Sequence, residues 1–204
     1  MTVIVKDEDG NLIEDATVAL IDTETDNVYT VQTDEDGVAN FEGIRAGRYI
    51  RKVTDLDEQY VEPADKEMYV EDDVEEVVIV KFVVGNIVVY KTDDESGEPV
   101  PGCTFQVLDY ETGDVLEEQV TDENGYARFE GYRYGKYLVQ ESEAAEDYEK
   151  SDDVMEVSIV EDGVDVVVSF TNVYTADIAV ALYAVIALIS VYAIVKVAKR
   201  MKRD

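Results

Sequence analysis

The chain has 204 residues, 46% of them hydrophobic, enough for one or two small domains. Its 48 acidic against 17 basic residues give a net charge of -31, which repels phosphate backbones and excludes nucleic acid as a partner. With no His, one Cys and no Trp, it has neither imidazole chemistry nor an intrachain disulfide. No metal, cofactor or turnover enzyme is therefore expected.

From the N-terminus to about residue 174, short β-branched and aromatic runs alternate with turn clusters. Among the runs are Ile87 to Tyr90, Thr104 to Leu108, Tyr137 to Val139 and Val164 to Phe170. The separating clusters, DEDG, TDEDG, ESGEP, ETGD and TDENG, hold Gly or Asn that can take φ > 0. No segment before residue 178 sustains a 3.6-residue period, so the reading is all-β. The chain also repeats itself. Thr33 to Phe41 (TDEDGVANF) matches Thr121 to Phe129 (TDENGYARF) at an offset of 88, and Gly43, Gly47 and Tyr49 fall on Gly131, Gly135 and Tyr137. Two tandem antiparallel β-sandwiches of about seven strands each are predicted, over residues 1–84 and 86–174.

Ile178 to Val195 is an uncharged run of 18 residues. With Val197 and Ala198 beyond a snorkelling Lys196, it is long enough for ~30 Å of hydrocarbon. A single transmembrane helix over residues 177–198 is expected, with the membrane as partner through Ile178 to Ala198. Residues 199–204 form a basic tail. The last 27 residues carry five bases and Asp204 alone, leaving 47 acids and 12 bases ahead of them. The positive-inside rule places the tail in the cytoplasm and the acidic part outside. Since Met1 to Val5 runs straight into Lys6 and a string of acids, the expected export signal is one carried upstream of Met1.

Two further features have plain readings. The acidic turns Asp7-x-Asp9-Gly10, Asp34-x-Asp36-Gly37 and Asp122-x-Asn124-Gly125 echo part of a calcium loop. They lack its closing carboxylate and read as hairpin turns. Cys103 shares a strand face with Phe105 and Val107 and reads as a small core residue.

The pattern VVYKTDDESGEPVPGCTFQVLD, then TDENGYARFEGYRYGKYLVQES, then VVVSFTN closely resembles the SpaA-like, collagen-adhesin B-type (prealbumin-like) repeats of Gram-positive pilins and surface proteins. The match covers residues 86–174, while residues 2–84 resemble the same domain more weakly. The resemblance implies a transthyretin-like sandwich used as a stalk module and closed by a spontaneous Lys-to-Asn isopeptide bond that a Glu assists. It maps the crosslink onto Lys91 and Asn172 and the proton shuttle onto Glu141.

Strand alternation tests that mapping. Lys91 falls on the face of Ile87 and Val89, Glu141 on that of Tyr137 and Val139, and Asn172 on that of Val168 and Phe170. Burial would make the Lys amine a nucleophile by favouring its neutral form. A protonated Glu could polarise the Asn carbonyl, shuttle protons and help ammonia leave. In the first repeat Lys6 appears in the place of Lys91, but Val53 and Val84 replace the other two, so no bond is expected there. FTN is followed by VYTADIAV with no LPxTG-type sorting motif, which favours retention by the membrane helix. The function expected is a membrane-anchored extracellular stalk or adhesin; recognition of a glycan or matrix ligand, or service beside a membrane-linked enzyme, are the alternatives.

Overall fold

Alternation of apolar and polar side chains becomes alternation of burial along the strands, as the two-residue period requires. In the computed structural model, which describes residues 1–71 and 74–175, Glu75–Phe82 runs exposed and buried in strict turn, with Glu76, Val78, Val80 and Phe82 inside. The described residues form an all-β structure of sandwich-like sheets. None of their helices is long and apolar enough to cross a membrane. The run from Ile178 to Ala198 lies outside the described residues.

The chain divides into two compact units. The first comprises Met1–Asn86 with Glu130–Gly135 and Ser158–Asp165; the second comprises Ile87–Phe129, Lys136–Val157 and the described residues from Val166 to Thr175.

The N-terminal repeat contains β1 (Thr2–Asp7), β2 (Thr17–Asp22), β3 (Val28–Gln32), β4 (Val38–Asn40), β5 (Gly47–Thr54), β6 (Tyr60–Val61), β7 (Lys66–Val70) and β8 (Glu75–Phe82). They form two four-stranded sheets, ordered β4-β1-β8-β6 and β3-β2-β5-β7. Val3, Val5, Val18, Leu20, Tyr49 and Val80, none more than 1% exposed, lie in the core. The sheets are not wholly antiparallel: β1 and β8 pair in parallel, with Val5 opposite Val78. The strands between them supply the long crossover that parallel neighbours need.

The second repeat contains β9 (Val84–Asp93), β10 (Thr104–Asp109), β11 (Val115–Val120), β12 (Tyr126–Arg133), β13 (Gly135–Glu143), β14 (Val154–Ile159) and β15 (Asp165–Asn172). Its sheets are ordered β11-β10-β13-β14 and β12-β9-β15. The first and last strands of this repeat are thus neighbours in one sheet.

The duplicated TDE motif has the same work in both repeats. Thr121 donates its hydroxyl to the Val100 carbonyl at 2.9 Å and accepts the Cys103 N–H at 3.0 Å. Thr33 does so with Ile13 at 2.7 Å and Ala16 at 2.9 Å. Each buried hydroxyl pins the chain entering the next strand, and a buried N–H left unpaired there would cost about 1–3 kcal/mol. In the following turn Asp122 Oδ1 accepts the Asn124 and Tyr126 N–H groups, both at 2.9 Å. Asp34 Oδ1 takes those of Asp36 and Val38 at 3.0 and 2.9 Å. The carboxylates of the calcium-like turns are therefore engaged by their own backbone. The turn glycines permit a close crossing: a Cβ on Gly125, at φ +77°, would stand 2.5 Å from the Lys91 carbonyl oxygen. On Gly37, at φ +66°, it would stand 2.7 Å from that of Val5.

Candidate functional site

Lys91, Glu141 and Asn172 are brought together in the interior of the second repeat, 0%, 1% and 3% exposed respectively. Lys91 lies on β9 and Asn172 beside it on β15, whereas Glu141 reaches them from β13 in the facing sheet. Lys91 Nζ donates to Asn172 Oδ1. Asn172 Nδ2 donates to Glu141 Oε1 at 2.8 Å, and Lys91 Nζ stands 3.6 Å from that same oxygen. Three polar groups that would each be costly to bury alone satisfy one another.

The surroundings are apolar. Lys91 Nζ sits 5.8 Å from the Phe105 ring centroid and 5.9 Å from that of Phe170, and the two rings pack 4.9 Å apart. Burial pushes the Lys91 ammonium below its ordinary pKa, and the Glu141 carboxylate only partly opposes that shift. Cys103 is fully buried next to the group, as the sequence reading placed it. Its Sγ accepts the Ala145 N–H at 3.3 Å, and burial raises its thiol to about 11, so it stays protonated.

The contacts divide the labour differently from the sequence reading. The carbonyl oxygen of Asn172 is covered by Lys91 itself, while Glu141 touches the amide nitrogen. Glu141 thus stands at the amide nitrogen and not at the carbonyl oxygen. Its other oxygen, Oε2, accepts the backbone N–H of Ser151 at 2.6 Å. Sequence reasoning missed Ser151 because any residue but proline supplies an N–H.

The first repeat also departs from the sequence alignment. Lys91 N donates to Gly125 O, and Val100 N donates to Lys91 O. At the equivalent crossing Val5 N donates to Gly37 O, and Ile13 N donates to Val5 O. The residue in the place of Lys91 is thus Val5, fully buried, and not Lys6. Val53, opposite Val18 on β2 as Glu141 is opposite Phe105 on β10, does replace Glu141. Val84 belongs to the start of β9, and the core face of β8 toward its end carries Val80 and Phe82. All the corresponding positions are therefore apolar.

Residues 85–174 match the family model described as the SpaA prealbumin-like fold domain. This segment is a SpaA-type prealbumin-like domain. Residues 1–78 match a different model, the carboxypeptidase regulatory-like domain. Among solved structures, the Bacillus anthracis TIE protein is similar in fold, with a TM-score of 0.74 at 21% identity over 85% of this chain and 33% of that one. The chain thus spans a third of that protein's length. A streptococcal ancillary pilin matches at 21% identity and TM-score 0.42, over 85% of this chain and 61% of that one. The minor pilin GBS52 of Streptococcus agalactiae matches at 16% identity and TM-score 0.40, over 85% and 95%. None of the curated proteins matches the chain. The SpaA-type domain contains the whole Lys91, Glu141 and Asn172 group, since all three positions fall between residues 85 and 174.

Proposed function

We propose that the chain is a structural segment of a Gram-positive cell surface, a stalk or adhesin module, whose SpaA-type domain closes itself with an isopeptide bond between Lys91 and Asn172. The observation that carries this reading is the buried contact of amine, amide and carboxylate between two phenylalanine rings.

The chemistry follows from those contacts. Glu141 takes a proton from the Lys91 ammonium across 3.6 Å and leaves a neutral amine. The amine lone pair then forms a bond to Cγ of Asn172. Glu141 passes the proton to Nδ2, the Cγ–Nδ2 bond breaks, and ammonia departs with the bonding pair. The new amide nitrogen sheds its second proton through Glu141 to the ammonia, so ammonium leaves and the carboxylate is restored. The domain acts once, on itself, and is not a turnover enzyme.

The two sandwiches, residues 1–84 and 86–174, form the exported part in this proposal. The run from Ile178 to Ala198 is the anchor, and the basic residues beyond it stay in the cytoplasm. Peptide mapping of a protease digest is the test of the bond: a branched peptide joining the segments around Lys91 and Asn172 supports it, and recovery of both as separate linear peptides refutes it. Protease added to intact cells tests the topology. Loss of residues 1–174 with survival of a C-terminal tag supports it, and the reverse pattern refutes it.

A further inference from the structure

The loop between β13 and β14 lies directly on the Lys–Asn group, and the chain leaving β15 holds it there. Ser151 N donates to Glu141 Oε2 at 2.6 Å, and Lys150 Nζ donates to the Glu141 carbonyl at 3.4 Å. Further back, Asp147 sits at φ +68°, a left-handed turn that aims its carbonyl at the exit segment. There it accepts both the N–H and the hydroxyl of Thr175 at 2.8 Å. Glu149 N donates to Val173 O at 3.0 Å, and the Tyr148 and Tyr174 rings pack 5.3 Å apart.

We infer that this loop is a positioning strap for the crosslinking reaction, in which the Ser151 N–H fixes the Glu141 carboxylate and residues 173–175 clamp the loop in place. The inference rests on the isopeptide reading and adds two parts to it. The first is a backbone donor that holds one oxygen of Glu141, so that the other is kept against Asn172 and Lys91. The second is a dependence of the reaction on residues beyond the last strand: the exit chain must lie down on the loop before Glu141 is set, which orders the chemistry after folding of the domain's C-terminal end. The strap acts among other titratable groups: Lys91 on β9 and the Cys103 thiol ahead of β10 face the Glu141 carboxyl, Asp153 of the loop acts on the Lys91 amine, and Lys150 of the loop bonds the Glu141 backbone carbonyl.

The test follows bond formation in the full chain from cell-free synthesis, reading the ammonia loss by mass against time. Ser151→Pro, which removes the N–H, should slow the reaction tenfold or more, the size of one hydrogen bond to a charged group. Ser151→Ala, which keeps the N–H, should match the wild type. Thr175→Pro, which removes the clamp donor without touching the site, should slow the reaction in the same sense. Hydrogen exchange on the unaltered chain guards against misfolding of the variants: the Ser151 amide should be protected like those of β13, and free exchange there overturns the inference. A wild type that reacts while Ser151→Pro reacts equally fast overturns the strap alone. A wild type that never loses ammonia overturns the isopeptide reading and the strap together.

Discussion

Lys91 and Asn172, 81 positions apart in the chain, lie side by side on the first and last strands of the SpaA-type domain. A bond between them takes the residues in between out of the path of any force that enters at one end of the domain and leaves at the other. By the loop-entropy argument used for disulfides, it also constrains the unfolded chain by about 4–5 kcal/mol. Stretching single molecules should therefore extend the first repeat fully and the second only outside Lys91 to Asn172. Full extension of both repeats would count against the bond.

Removing the reaction should reveal the titration of Lys91. In Asn172→Ala the amine stays buried and unreacted, with its pKa lowered by burial, while the unfolded chain holds its proton up to the ordinary 10.5. In that window the unfolded state binds more protons, so stability rises with pH. The contribution is fully present above 10.5 and is lost as pH falls through the lowered folded value. A wild type crosslinked as proposed would have an amide there and should lack this component. Thermal denaturation of both proteins across the alkaline range measures the difference, and parallel profiles would contradict it.

Because Val5 stands where Lys91 does and its neighbours are apolar, a lysine placed there has no partners. Val5→Lys should lower the stability of the first repeat by several kcal/mol without the loss of a second ammonia. Val53→Glu added to it should not produce a bond either, since no Asn lies on the core face of β8. Urea unfolding with intact mass checks both outcomes.

Gly125 is required by the close approach to Lys91 O, which a Cβ would meet at 2.5 Å from a left-handed conformation. Gly125→Ala should cost more than the usual 1 kcal/mol of a strained glycine site, because backbone must move, and should slow crosslinking as β9 shifts. Gly97→Ala, also at positive φ but with open space around it, should cost only the conformational strain.

The first repeat has an ionic link between its sheets. Arg51 on β5 meets Glu76 on β8 at 3.7 Å, with side chains 6% and 8% exposed, and Lys66 reaches the same carboxylate oxygen at 2.8 Å. Arg51 Nε and Nη1 and Glu76 Oε2 have no protein partner. Removing both cations with Arg51→Met and Lys66→Met should cost about 3 kcal/mol by stranding the buried Glu76 charge, and adding Glu76→Leu should recover most of it. Chemical denaturation of the three proteins reads this directly.

Much of this was legible in the sequence, and what was not has particular causes. Alternation revealed the strands, the TDE repeats revealed the turns, and the faces of Lys91, Glu141 and Asn172 were read correctly because a strand's period admits only two choices. The parallel pairing of β1 with β8 was not legible, since parallel and antiparallel strands alternate alike. Val5 was missed because the offset between repeats is not constant. It is 88 at the TDE turns but 86 between Val5 and Lys91, where the turn after β9 closes from Asp93 N to Glu98 O and that after β1 from Asp7 N to Asn11 O. The backbone donor of Ser151 left no trace in residue type.

The central claim is most directly tested by the intact mass of the purified protein. The account predicts a mass lower than that of the sequence by one ammonia, with the full mass restored in Lys91→Ala and in Glu141→Ala. An unmodified wild-type mass would contradict the bond, and complete ammonia loss in Glu141→Ala would contradict the role assigned to Glu141.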